Sequence, residues 1–298
     1  MTDSPLVIAL NMGTLLGLPA WSAAPTGDAT SLAKGLRVAG YAGIQGATNP
    51  VYRAFGFKTY GSGRVVERKD AQDVLARQQA DGHLATTLHV GTGLESDAQA
   101  MGLIEAILTA SDHLGHPAHI ETHRATITQD IWRTLRWIEH FPEMTFNADL
   151  SHWYTGLEMA YGDFEGKLTL LAPFFHRVRF VHGRIGTGGI MQVAIKAGGR
   201  DEPHLGRFSR MWALCFSGFL QADTAGQSIV FAPELLPEQV ETPTGPLPID
   251  YAVPSRSQTG DWVETTDRWD QALKLVDVAK ASFQIAQAMA APALAQRA

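Results

Sequence analysis

The feature that most constrains the fold is a regular alternation of short apolar runs with longer amphipathic segments along all 298 residues. Strands separated by single helices favour parallel pairing with right-handed crossovers. About eight such units in a chain of this length favour a closed (β/α)₈ barrel, also called a TIM barrel, over an open doubly wound sheet. No Gly-x-Gly-x-x-Gly follows the first run, which counts against a dinucleotide-binding fold. We therefore expect one barrel domain over residues 1–298.

The pattern assigns each segment a role in this barrel. The predicted strands are 6–10, 40–45, 83–90, 117–121, 144–149, 177–182, 189–195 and 228–232. The predicted helices are 28–38, 68–81, 96–114, 130–140, 207–222 and 267–289, with an Ala-rich tail from about Pro292 that we expect to be frayed. Trp132 and Trp137, on the helix over 130–140, are expected in the core.

The composition suits a globular protein with a large core, since 45% of residues are hydrophobic and 18% are charged. A net charge of −6 gives no electrostatic reason to expect nucleic acid or an anionic membrane. The segment 5–24 lacks a basic flank, so we interpret it as a first strand and loop, not as a signal peptide. Cys215 lies in an apolar run and is expected in the core; a single cysteine fits a reducing cytoplasm.

Acidic and histidine residues close four of the predicted strands at their C-terminal ends. In a barrel these ends converge on one mouth, where active sites are built. A single carboxylate there could simply cap the next helix. Four ligands from four strands can instead surround one cation, and oxygen-rich ligation with one imidazole suits Mn²⁺, Mg²⁺, Co²⁺ or Zn²⁺. The four residues are Glu121, Asp149, His182 and Glu234.

Further polar residues adjoin these four positions. His123 lies two residues after Glu121, His152 three residues after Asp149, and Arg184 two residues after His182. A turn would aim His152 at the same cavity, although packing under the mouth is the alternative. Arg184 would place a cation near a substrate carbonyl, hydroxyl or phosphate, unless it lies on the surface. The remaining candidates for the mouth are His89, at the end of the predicted third strand, and Gln192, which could reach it from the loop after the predicted sixth strand.

Six segments resemble the xylose-isomerase-like barrel superfamily, specifically the sugar phosphate isomerase/epimerase group, to which type IV apurinic endonucleases are related. The segments are Gly-Tyr-Ala-Gly-Ile-Gln at 40–45, Thr-Leu-His-Val-Gly at 87–91, Ile-Glu-Thr-His-Arg at 120–124, Ala-Asp-Leu-Ser-His-Trp at 148–153, Phe-Val-His-Gly-Arg-Ile-Gly at 180–186 and Ala-Pro-Glu-Leu at 232–235.

The resemblance implies a metal held by Glu121, Asp149, His182 and Glu234, with His152 touching the substrate or a second metal. It also implies that Glu121 and Glu234 are catalytic. One removes a proton next to the substrate carbonyl and the other returns one, while the metal stabilises the enediolate.

Trp21 is in a position where family members place an aromatic ring over the sugar. The substrate-ordering glutamate of the ketose 3-epimerases is missing from 125–128, so the resemblance leaves the exact sugar open. Family members often form homodimers, which gives an expectation for this chain.

Other functions remain open from the residues alone. A metal-assisted dehydratase acting on an inosose-like polyol would share the proton abstraction. A phosphodiesterase acting on abasic DNA would need a cluster of metals that also uses Asp201 and His204. However, the Asp-x-His pair of those enzymes reads Asp-Glu-Pro-His here, and Gln45 replaces a histidine on the second strand. A fourth possibility is a barrel retained for binding without catalysis.

Overall fold

Eight parallel strands close into a barrel in the computed structural model, which describes residues 5–196, 203–222, 224, 226–252, 254–256 and 262–295. Each strand pairs with its neighbours in chain order, and the eighth pairs with the first. The barrel strands are β1 Leu6–Asn11, β2 Gly43–Gln45, β3 Lys58–Val65, β4 Thr86–Val90, β5 Ala118–Glu121, β6 Phe146–Ala148, β7 Val178–Gly183 and β8 Ile229–Pro233. The expected (β/α)₈ barrel is confirmed.

Helices follow every barrel strand and cover the outside of the barrel. They are α1 Ala29–Val38, α2 Pro50–Ala54, α3 Asp70–Ala80, α4 Asp97–Leu114, α5 Ile131–His140, α6 Leu150–Gly156, α7 Phe164–Leu170, α8 Ala172–Phe175, α9 Pro203–Gln221 and α10 Arg268–Ala295. Between β8 and α10 lie two hairpins, β9 Gln239–Thr242 with β10 Gly245–Pro248, and β11 Pro254–Arg256 with β12 Trp262–Glu264. No described helix is long and apolar enough to cross a membrane.

Strand β3 was missed by the sequence pattern because it contains glycines where strands usually carry branched side chains. These glycines let α3 pack closely on the barrel. A Cβ on Gly61 would lie 2.1 Å from Gln78 Oε1, and one on Gly63 would lie 2.6 Å from Val74 Cγ1. The predicted third to sixth strands therefore become β4 to β7.

The predicted strand over 189–195 is wrong. This segment folds back on the chain that leaves β7: Thr187 N donates to Ile190 O at 2.7 Å, and Val193 N donates to Ile185 O at 3.0 Å. These bonds close a loop and do not form a barrel ladder.

Three smaller expectations have mixed outcomes. Cys215 and Trp137 are buried as expected, whereas Trp132 is 65% exposed and lies on the outer face of α5. The tail does not fray at Pro292, because α10 continues through this proline to residue 295. Residues 296–298 lie outside the described part of the chain.

Alternation along the strands divides the barrel interior into an apolar lower layer and a polar upper layer. The lower layer contains Ala9, Phe180 and Ala232, packed with the ring of Tyr60. Side chains two positions apart on a strand point to the same face. The residues two positions further along these three segments are Asn11, His182 and Glu234, so the polar layer lies above the apolar one, at the C-terminal mouth.

The N-terminal end of the barrel holds a buried histidine, His119, two residues before Glu121. Its Nδ1 lies 2.9 Å from Thr145 Oγ1. Burial, with the charge of Arg179, lowers the pKa of His119 to about 3.

We predict that His119 makes the fold sensitive to acid. The unfolded chain binds a proton at this imidazole below pH 6.5 and the folded chain only near pH 3, so stability falls as the pH drops through this window. The free energy of unfolding should fall between pH 7 and pH 4.5, and replacement of His119 by Gln should make this fall smaller by about 2 to 3 kcal/mol. Urea unfolding at both pH values tests this, with His113→Gln, on the exposed face of α4, as control. An unchanged pH dependence in His119→Gln would contradict it.

Candidate metal centre

The four predicted ligands meet at the C-terminal mouth of the barrel. Glu121 ends β5, Asp149 follows β6, His182 lies near the end of β7, and Glu234 follows β8. One ligand atom from each lies within 4.8 Å of those from the other three. Glu121, Asp149 and His182 are buried, while the side chain of Glu234 keeps 15% exposure towards the mouth.

Both glutamates are oriented by amide side chains from neighbouring strands. Asn147 Nδ2 donates to Glu121 Oε2 at 2.9 Å, and Asn11 Nδ2 donates to Glu234 Oε1 at 2.9 Å. The other oxygen of Glu121 lies 3.0 Å from Nε2 of His89, on β4. Carboxylates held in this way are fixed before any ligand arrives, because their rotamers are set by the barrel frame.

His182 is oriented by the residue that replaces the strand-two histidine. Its Nε2 lies 2.8 Å from Gln45 Oε1, and the Gln45 amide donates to Thr87 Oγ1 at 2.8 Å. Because the Gln45 oxygen can only accept, Nε2 carries the proton. Nδ1 then faces Glu234 Oε2 at 3.3 Å and Glu121 Oε1 at 3.5 Å. This is how proteins fix a metal-binding imidazole through its second nitrogen.

Asp149 is held by Ser151 and Arg184. The Ser151 hydroxyl donates to Oδ1 at 2.6 Å, and Arg184 Nη2 makes a close ion pair with Oδ2. Arg184 is itself buried, and the same nitrogen lies 3.0 Å from His152 Nε2 and 3.5 Å from Glu234 Oε2. The tertiary structure thus places Arg184 inside the cluster and not on the surface.

Three histidines stack along one side of the mouth. The ring of His123 lies between His89 and His152, at centroid distances of 4.2 and 3.8 Å. Burial and the two neighbouring imidazoles lower the pKa of His123 to about 4. Ligand atoms of His89, Glu121 and His123 also lie within 4.8 Å of one another, so Glu121 belongs to two overlapping sets of candidate ligands.

The pKa values of the cluster follow from mutual pairing in a buried place. Burial raises the pKa of Glu121, but the charges of His182 and His89 and their hydrogen bonds outweigh burial and hold it well below its ordinary range. Burial lowers the pKa of His182, but Glu234 and Glu121 together raise it well above 6.5. In the protein alone, His182 therefore carries part of the positive charge that the carboxylates need.

The cluster fits a divalent cation. The buried carboxylates of Glu121 and Asp149 and the partly exposed one of Glu234 face the one permanent positive charge that the described residues place here, that of Arg184, and such an excess of negative charge is costly without a further cation. The donor set of three carboxylates and one imidazole is the kind that Mg²⁺, Mn²⁺, Co²⁺ and Zn²⁺ accept. In addition, the buried Oδ1 of Asn147 has no hydrogen-bond partner among the described residues.

The remaining predicted residues lie outside the cluster. Trp21 is 55% exposed and lines a separate cleft. Gln192 holds the chain after β8, with Nε2 donating to Leu236 O at 2.9 Å and Oε1 accepting from Leu236 N. Asp201, required for the endonuclease reading, lies outside the described residues.

Sequence reasoning missed three residues of the site. Asn11 ends β1 and Asn147 is the middle residue of β6, both in inward positions that the alternation along those strands could have identified. The third, Tyr251, lies in the long segment after β8 and places its ring 4.8 Å from the Arg184 guanidinium. No local pattern marks this contact.

We predict that Arg184→Met destabilises the protein by about 3 to 5 kcal/mol in chelator, because it leaves the buried charge of Asp149 without its partner. Denaturant unfolding measures this. Arg68→Met provides the matched control, since both side chains of the Arg68–Glu105 pair are 61% exposed and its loss should cost within about 1 kcal/mol. The double variant Arg184→Met/Asp149→Asn should recover part of the loss. If the two arginine substitutions lower the free energy of unfolding equally, Arg184 does not balance the buried charge of Asp149.

No protein-family model matches the chain, and no curated protein matches it. Solved structures do. A xylose isomerase-like TIM barrel protein from Mycobacterium smegmatis in complex with magnesium matches with a TM-score of 0.54 and 11% identity, over 94% of this chain and 97% of the other. A probable 3-DHS dehydratase involved in petrobactin synthesis from Bacillus anthracis has a TM-score of 0.47 and 12% identity, over 76% and 92%.

A 3-keto-D-glucoside 4-epimerase from E. coli has a TM-score of 0.46 and 10% identity, over 80% of this chain and 95% of the other. At these identities the likeness concerns the fold, and of these three proteins only the one from Mycobacterium smegmatis has a TM-score above 0.5. The chain therefore has a (β/α)₈ barrel fold similar to that of this protein, as the alternation of strands and helices led us to expect.

Proposed function

We propose that the protein is a divalent-metal-dependent isomerase or epimerase of a sugar or sugar phosphate. The observation that carries this proposal is the convergence of three carboxylates and one imidazole at the barrel mouth, with ligand atoms within 4.8 Å of one another. Two of those carboxylates, Glu121 and Glu234, come from β5 and from the end of β8, two strands separated by β6 and β7. Two carboxyl groups at one site can act as a base and an acid in proton transfer next to a carbonyl.

Glu121, Asp149, His182 and Glu234 would hold the metal. When bound, the ion supplies Lewis-acid polarisation of the substrate carbonyl and so makes the neighbouring C–H more acidic. Support for a divalent ion at this place comes from the donor set itself. The Mycobacterium smegmatis barrel, which shares the fold, was solved with magnesium, and this adds to that support.

The proton transfer falls to the two glutamates. One carboxylate accepts the proton from the carbon next to the carbonyl, and the electron pair of the broken C–H bond moves onto the carbonyl oxygen. The other glutamate, which has first taken a proton from solvent, delivers it to the opposite face of the same carbon or to the adjacent carbonyl carbon. In the second case the hydroxyl proton of the first carbon passes to the former carbonyl oxygen, and in both cases the first glutamate returns its proton to solvent. The pKa of both carboxyls is held low by His182, against burial, so the glutamate that begins as the base is ionised at neutral pH.

Two buried donors are available for the substrate. Nη1 of Arg184 and Nδ1 of His152 have no hydrogen-bond partner among the described residues. A buried donor without a partner is costly, and a substrate hydroxyl or carbonyl oxygen would satisfy it. Arg184 and His152 therefore orient the sugar while the glutamates move the proton.

A proton-exchange screen in D₂O tests the proposal. The Mn²⁺-loaded protein is incubated with a panel of ketoses, aldoses, their phosphates, disaccharides and inososes, and deuterium is located by NMR. We expect incorporation at one carbon of a sugar. Glu121→Gln and Glu234→Gln should each slow it by about a hundredfold or more, and Glu105→Gln, on the outer face of α4, should not.

The outcomes of the screen separate the candidate functions. Exchange accompanied by loss of water from an inosose would replace the isomerase assignment with a dehydratase. No exchange across the panel with metal bound, or exchange that survives both glutamate substitutions, would contradict the proposal.

A further inference from the structure

A cleft of about 770 Å³ opens beside the metal centre, between the loop that follows β1 and the β9–β10 hairpin. Trp21 forms part of its wall and is 55% exposed, which is unusual for so large an apolar side chain. The other walls include Leu16, Pro237 and Glu241. None of the lining residues belongs to the metal centre, so a group bound here is a different group from the one held by the ligands.

The cleft and the metal centre are built from the same two chain segments. Asn11, at the end of β1, donates to Glu234, and the two segments are joined again where Thr14 Oγ1 donates to Pro233 O at 3.2 Å. The Leu235 amide donates back to the Thr14 hydroxyl at 3.1 Å. Two residues beyond these contacts, each segment enters the cleft wall, at Leu16 and at Pro237. The cleft therefore begins within a few residues of the metal centre, on the side of β1 and β8.

The chemistry of the cleft selects an uncharged ring with hydroxyl groups. The exposed indole of Trp21 offers an apolar face to the C–H groups of such a ring, and the carboxylates of Glu238 and Glu241 accept hydrogen bonds from hydroxyls.

The charge of the cleft disfavours an anion. Its third carboxylate, Glu264, is paired with the buried Arg268, whose remaining nitrogens donate to backbone carbonyls, among them Thr14 O at 2.8 Å. The lining residues themselves contribute only negative charge. A phosphate group would be repelled.

We propose that this cleft binds a second, uncharged sugar ring, so that the substrate is a glycoside or disaccharide. Its reacting ring lies at the metal centre and its other ring stacks on Trp21. The inference rests on the proposed function for the identity of the reacting ring. The cleft volume lies within the range of ordinary ligand sites, about 300 to 1,000 Å³, and is sufficient for one ring.

Calorimetric titration of the full-length, Mn²⁺-loaded protein tests the subsite. The probes are maltose, cellobiose, lactose and sucrose, compared with glucose, galactose, fructose and glucose 6-phosphate. We expect at least one disaccharide to bind about tenfold or more tightly than its monosaccharides. Trp21→Ala should abolish this gain and Trp21→Phe should keep part of it. Trp132→Ala, which removes an exposed tryptophan on α5, should leave the gain unchanged.

The outcomes distinguish this inference from the proposed function. Deuterium exchange into monosaccharides without any disaccharide preference, or with a preference that survives Trp21→Ala, overturns the subsite alone. A Trp21-dependent disaccharide preference without exchange supports the subsite and overturns the proposed chemistry. Tighter binding of glucose 6-phosphate than of every disaccharide would contradict the charge argument and the subsite with it.

Discussion

The site depends on one constraint: three carboxylates, two of them buried, lie together at the barrel mouth and need positive charge. Arg184 supplies one permanent charge through its ion pair with Asp149, and His182 supplies part of another because the two glutamates raise its pKa. Burial of unbalanced charge is costly enough that the surrounding side chains are arranged to relieve it. The amides of Asn11 and Asn147 serve this purpose, and a divalent cation would complete the balance.

The barrel makes this concentration of charge possible. Successive side chains along each strand point alternately into and out of the barrel. An inward side chain in the lower layer is therefore followed, two residues later, by another inward side chain at the mouth. The lower layer is apolar and carries the packing, with Tyr60 against Phe180 as its largest contact. The upper layer is thereby free to be polar. Stability and chemistry are separated along the barrel axis, as the fold generally allows.

Much of this arrangement could be predicted from sequence because it follows from strand ends. Glu121 and His182 lie at or next to the C-terminal ends of two short strands, and the closed barrel brings such ends together. Strand β3 could not be predicted, since its glycines serve the packing of α3 and hide the strand pattern. Tyr251 could not be predicted either, because the segment after β8 has no period that fixes where it returns. The burial of Arg184 is likewise a tertiary property.

Anomalous diffraction can show whether the carboxylates at the mouth enclose one divalent cation. Crystals of the protein would be soaked in Mn²⁺ and measured on both sides of the manganese absorption edge. We expect one strong anomalous peak in contact with Glu121, Asp149, His182 and Glu234, and its loss in Asp149→Asn/Glu234→Gln. Manganese found only at surface carboxylates, with Arg184 and His182 still neutralising the cluster, would contradict it.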